Sequence, residues 1–244
     1  MDMRISGSGV IPSGEYDKIR VSGSCQLDGL VRCKSFHVSG ATRGGELECS
    51  GDVQISGSSK FVGGVKAGSL SISGAFMTEG DLTVDGDIHC SGSAKCGGNV
   101  KCVNLVASGG LNSGGDVEAE TVNVRGKLNC VGLLNAEEIT IEFERGMTLG
   151  SIGGSKIAIF RATVSSKGKK LRLPLLSSLV KSAGIGIIVE NSIEGDTVAI
   201  EDVTVNSVSG RIVAIGDGCT VNHLQYSEQL EVSPDSLVKN TEKL

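Results

Sequence analysis

Through the first 141 residues, apolar side chains come in pairs separated by a single residue, and the pairs recur on a fixed step. Ser-Gly stands at 22–23, 39–40, 56–57, 73–74, 91–92 and 108–109, with Arg125-Gly126 in the next slot, at spacings of 17, 17, 17, 18, 17 and 17. With the Ser as position 1, positions 4 and 6 hold Cys25/Leu27, Ser59/Phe61, Ala94/Cys96 and Leu128/Cys130. Positions 10 and 12 hold Val31/Cys33, Val65/Ala67, Leu82/Val84, Val100/Cys102, Val117/Ala119 and Leu134/Ala136. Positions 15 and 17 hold Phe36/Val38, Val53/Ile55, Leu70/Ile72, Leu105/Ala107, Val122/Val124 and Ile139/Ile141. The second unit slips by one, to Leu47/Cys49. Alternation with period 2 marks a strand with one buried face, so each unit holds three very short strands. Gly at positions 2 and 8 is expected to supply a positive φ at the corners. Corners this tight turn the chain by a third of a circuit, which predicts an all-β, three-sided parallel β-helix of about 17 residues per coil. Successive coils stack at about 4.8 Å, like side chain on like.

After Ile141 the marker is lost but the pairs persist, at Ile157/Ile159, Val198/Ile200, Val203/Val205, Val213/Ile215, Cys219/Val221 and Leu230/Val232. The expected organisation is a β-helix section over 4–160, an insertion over 161–184, a second β-helix section over 185–234 and a tail over 235–244 that could act as a cap. Within the insertion, Arg161 to Gly168 reads as loop. Pro174 to Ala183 reads as a short amphipathic helix, with Pro at its start and Gly184 beyond its end.

Composition agrees with a thin core. Aromatics are 3% of the chain and Trp is absent, so the apolar mass lies in small and branched side chains. The net charge of −5 excludes a generally basic nucleic-acid surface. The insertion carries six basic residues and no acid, which leaves −11 on the rest. Its Lys167, Lys169, Lys170, Arg172 and Lys181 are therefore candidates for docking an acidic partner or an anionic membrane surface; a solvated loop and a helix packed on the solenoid account for the same pattern. No run reaches the roughly 18 apolar residues of a membrane span, and the N-terminus has no apolar secretory core, so a cytoplasmic protein is expected. The eight Cys include no Cys-x-x-Cys and fall in inward columns, so they read as small buried side chains, with free thiols suited to a reducing compartment.

Catalytic patterns are missing. His37, His89 and His223 are far apart, and no phosphate-binding Gly-x-x-x-x-Gly-Lys-Ser/Thr occurs, which argues against nucleotide use. Asp81, Asp85, Asp87 and Asp116 are the best carboxylate group, yet Asp81 and Asp116 follow corner glycines, where Asp is an ordinary turn former. The reading is not an enzyme, with no cofactor and no metal.

A β-helix ends in unpaired backbone groups and a bare layer of inward side chains. Ile5, Val10 and Ile11 at one end and Leu230 and Val232 at the other are the expected self-association residues. Stacking two ends buries about six side chains per partner at roughly 1.5–3 kcal/mol each, against an association cost of roughly 4–15 kcal/mol.

The Ser-Gly-x5-Gly-Asp/Asn-Val-x-Ala/Cys units, with Ile-Glu-Gly-Asp at 193–196 and Ile-Gly-Asp-Gly-Cys at 215–219, resemble those of bactofilins, the bacterial polymer-forming cytoskeletal proteins. That resemblance implies a right-handed β-helix and nucleotide-independent, non-polar filaments. It also implies a cytoplasmic scaffold, often at the inner face of the membrane, that positions cell-envelope proteins. The length and the basic insertion depart from the compact family pattern. They keep open the alternative of a non-polymerising β-helical module that docks a partner through the insertion.

Overall fold

The computed structural model describes residues 1–144, 146–162 and 186–244. All strands of these residues belong to one parallel sheet wound into a solenoid of about 13 coils. Each coil contributes one strand to each of three faces. In a central coil these are Leu82–Val84, Ile88–Cys90 and Ser93–Cys96. One coil further on, Leu82 meets Val100, Ile88 meets Leu105 and Ala94 meets Leu111, so every face is an in-register ladder. Face 1 starts at Met3–Ile5, face 2 at Ser8 and face 3 at Gly14. They end with 229–232, 237–238 and 240–243 respectively.

The alternating pairs form the core, as their period requires. Inward residues such as Val31, Phe36, Val53, Val65, Leu70, Leu82, Val117 and Ile141 are essentially inaccessible, while the residues between them face solvent. Phe36, Phe61 and Phe76 fill one stretch of the interior with tilted rings at 6.2 and 5.8 Å. Next to them, Thr42 and Ser59 occupy consecutive inward rungs, and their buried hydroxyls have no hydrogen-bond partner.

The corner glycines act differently from expectation. None of the Ser-Gly glycines lies in the positive-φ region, which is reached instead at Gly14, Gly29, Gly44, Gly45 and Gly218. What excludes a side chain is the coil beneath. A Cβ on Gly57 would sit 2.6 Å from the carbonyl oxygen of Ser39 and nearer still to that of Gly40, and the same holds along the row from Gly23 to Gly126. The corner is this tight because one carbonyl serves two donors: Val38 O accepts from Ser56 N at 2.8 Å and from Gly57 N at 3.1 Å. The one-residue slip of the second unit is absorbed by Gly44 and Gly45, whose left-handed backbone shortens that corner.

The two sections are one body. Across the insertion Ile157 pairs directly with Val198 and Ile159 with Ile200, so 163–185 depart from and return to a single corner between faces 1 and 2. The neck is tied by Arg161, whose Nε donates to Asp202 Oδ2 at 2.6 Å and whose guanidinium lies 5.1 Å from the Phe143 ring centroid. The amphipathic helix read at 174–183 lies outside the described residues. The stretch read as a tail is no separate cap: Leu237–Lys243 pairs with the preceding coil and completes the last rungs of faces 2 and 3.

Candidate functional site: the two end layers

Inward residues are almost all buried along the middle of the solenoid and less so at its ends. Among the described residues, seven hydrophobic ones pack on the core while staying partly exposed: Met3, Ile5, Tyr16, Ala119, Tyr226, Leu230 and Val238. All but Ala119 belong to the first coil or the last two. At both ends the strands have a paired neighbour on one side only, which leaves a row of N–H and C=O groups open to water or to another strand.

The predicted residues divide on inspection. Ile5, Leu230 and Val232 are inward members of terminal rungs and lie at the open layers, Val232 with 42% of its surface free. Ile11 is fully buried and has nothing left to offer another copy. In the same coil Ile5 lies against Gly9, and Tyr16 lies near Gly14 while donating to Pro12 O at 2.9 Å. Val10 points outward from face 2 and is 56% exposed, so it belongs to the rim and not to the layer. The reading missed Met3, Tyr16, Tyr226 and Val238; the first and last were legible as the terminal inward residues of their columns. Lys167, Lys169, Lys170, Arg172 and Lys181 lie outside the described residues.

The eight cysteines are buried and free. Burial raises most of the thiols, Cys102 to about 12 and Cys130 to about 11. Cys33 and Cys49 face each other on consecutive rungs. Their mutual hydrogen bond raises Cys33 and lowers Cys49. A surface groove of about 420 Å³ runs past this pair, lined also by Tyr16, Arg32, Glu48 and Lys66.

Three of the four carboxylates that sequence singled out, Asp81, Asp87 and Asp116, bond to a neighbouring coil. Asp81 Oδ1 accepts from Asn99 N at 2.8 Å, Asn99 Oδ1 from Asp116 N at 2.9 Å, and Asp116 Oδ1 from Leu133 N at 2.8 Å. Asp87 accepts from the Asn104 amide at 2.7 Å. His37 pairs with Asp52, while His89 stands outward on face 1 three coils further on. Among the described residues no three His, Cys, Asp or Glu side chains are placed to hold a metal ion. Comparison with protein-family models, curated proteins and solved structures finds no match to this chain. The argument for function therefore rests on the end layers.

Proposed function

We propose that this chain is a bactofilin-like cytoskeletal scaffold that self-associates end to end without nucleotide. The observation that carries the reading is the concentration of half-buried core residues at the two ends of the solenoid, where six of the seven among the described residues lie. Each end also offers an open strand edge, and another copy can satisfy both deficits at once. The resemblance of the Ser-Gly repeat to bactofilin repeats supports the same assignment, and the eight free thiols suit a cytoplasmic setting. Attachment to the inner face of the membrane, or to cell-envelope proteins, belongs to the proposal through the basic insertion.

Analytical ultracentrifugation across concentration and salt, with negative-stain microscopy of the same samples, tests the proposal. A ladder of oligomers or filaments without nucleotide is the expected result. A sharp monomer at every concentration would overturn it. The complete burial of Ile11 in the first coil favours the second reading in that event: a binding module whose insertion docks a partner.

A further inference from the structure

One pair among the eight cysteines differs from the rest by position. Cys33 and Cys49 are directly paired residues on consecutive rungs of face 3, and both side chains point inward. Among the described residues no other cysteine has a thiol on the next rung. Cys25 meets Thr42, Cys90 lies between Ile72 and Ala107, Cys96 between Thr78 and Ser113, and Cys130 between Ser113 and Leu149. The pair also brackets the irregular coil. Residues 34–48 run from one thiol to the other through the left-handed Gly44–Gly45 corner, where the repeat slips by one residue.

The spacing of this pair suits a bond between the sulfurs. Neighbouring strands lie about 4.8 Å apart, inside the roughly 4.4–6.8 Å that a disulfide spans between Cα atoms. The two thiols already share a hydrogen bond, in which Cys33 donates and Cys49 is favoured as the thiolate. The pair is also within reach of a small reagent. Ala67 follows Cys49 in the column, and the groove of about 420 Å³ has Cys33, Cys49 and Ala67 among its lining residues, with Arg32, Glu48 and Lys66 beside them. Cys102 provides an internal comparison. It lines a groove of about 370 Å³ and is as little exposed as Cys33, but the column residues beside it are Val84 and Ala119, so it has no thiol to join.

We propose that Cys33 and Cys49 are a reversible dithiol–disulfide site, oxidised by exchange with a low-molecular-weight disulfide that enters the groove. The Cys49 thiolate attacks one sulfur of the small disulfide, forms a mixed disulfide and expels the first small thiolate. Cys33 then loses its proton and attacks the Cys49 sulfur, which forms the Cys33–Cys49 bond and expels the second. The two protons lost by the protein thiols end on the two small thiols, and two electrons pass from the protein to the small disulfide. The product staples one coil to the next and closes the 34–48 segment around the Gly44–Gly45 corner. The exchange does not depend on how copies meet.

The test incubates the full-length chain with glutathione disulfide under native conditions. Remaining thiols are then blocked with N-ethylmaleimide in denaturant, and the products are mapped by non-reducing peptide mass spectrometry. Free thiols are expected to fall from eight to six, with a Cys33–Cys49 cross-link and no retained glutathione, and dithiothreitol should restore all eight. Cys33→Ala is expected to keep one glutathionyl group at Cys49, and Cys102→Ala to behave as the wild type. The oxidised chain should unfold at a higher urea concentration than the reduced one, a difference that Cys33→Ala loses. A wild-type chain that keeps all eight thiols, that holds glutathione on Cys49 without the cross-link, or that joins either residue to a different cysteine would overturn the proposal. The wild-type product map decides this by itself, whether or not the alanine variants fold.

Discussion

Replacing Gly57 by Ala tests the account of the corners. The new Cβ would lie 2.6 Å from Ser39 O and closer to Gly40 O, where ordinary contact begins near 3.4 Å. Neither oxygen belongs to a flexible side chain, so the corner itself must open. Opening it strains or breaks three bonds: Ser56 N to Val38 O at 2.8 Å, Gly57 N to Val38 O at 3.1 Å, and Ser58 N to Gly40 O at 2.9 Å. At about 0.5–1.5 kcal/mol each the loss is about 3 kcal/mol, partly offset by about 0.4–1 kcal/mol from the stiffer unfolded chain. The net expectation is a destabilisation of about 2 kcal/mol. Two controls separate this from a general intolerance of Ala. Gly7 is the same Ser-Gly corner in the first coil, and Gly110 sits in a central coil; a Cβ on either meets nothing within 4 Å, and neither has a positive φ. Gly7→Ala and Gly110→Ala are expected to be neutral or slightly stabilising. Urea denaturation followed by circular dichroism compares the three midpoints. If Gly57→Ala melts with the controls, close approach is not what keeps glycine at these corners.

Three further outcomes follow from the interior and the neck. Thr42→Val and Ser59→Ala each remove an unpartnered buried hydroxyl and should raise stability by about 1 kcal/mol; a lower urea midpoint in both would mean that the hydroxyls are satisfied, by buried water or by each other. Because burial holds Cys102 near 12 against 9.0 in the unfolded chain, only the unfolded state releases protons as pH passes 9. Its thiol contribution to stability is therefore intact below pH 9 and lost between pH 9 and about 12, which thermal melts at pH 8 and pH 10.5 would register; with thiol reagents Cys49 should react before Cys102 or Cys130. Arg161→Ala leaves Asp202 without its half-buried partner and the Phe143 ring uncovered, at a cost of about 1–2 kcal/mol; an unchanged melting temperature would show that the neck holds without this contact.

The repeat made the coil, the three faces and nearly every inward residue legible, because period-2 pairs on a 17-residue step admit few other folds. It made the columns legible too, since Cys33 and Cys49, or Cys96 and Cys130, were assigned to common columns from spacing alone. Clearance between coils was not legible. Whether Gly23 or Gly57 answers a dihedral or a neighbouring carbonyl depends on how closely two corners nest, and nothing in one coil's sequence states that distance. The same gap concealed the Asp81–Asn99–Asp116 chain, whose bonds run between residues 17 and 18 apart, and misjudged Ile11, which looks terminal in the sequence but is fully buried. Continuity through the insertion was also hidden, since 163–185 interrupt the count while leaving the register intact.

The uninterrupted register across Ile157 and Val198 makes the molecule a graduated rod. At about 4.8 Å per coil, about 13 coils span about 60 Å, and the inserted segment is attached at one graduation of that scale. Rods joined end to end would present one such attachment per copy, at intervals set by the length of the solenoid. Lengthening the solenoid by one 17-residue unit would move neighbouring attachments apart by one coil without altering any of them, so spacing along the assembly and the identity of what is displayed are separately adjustable.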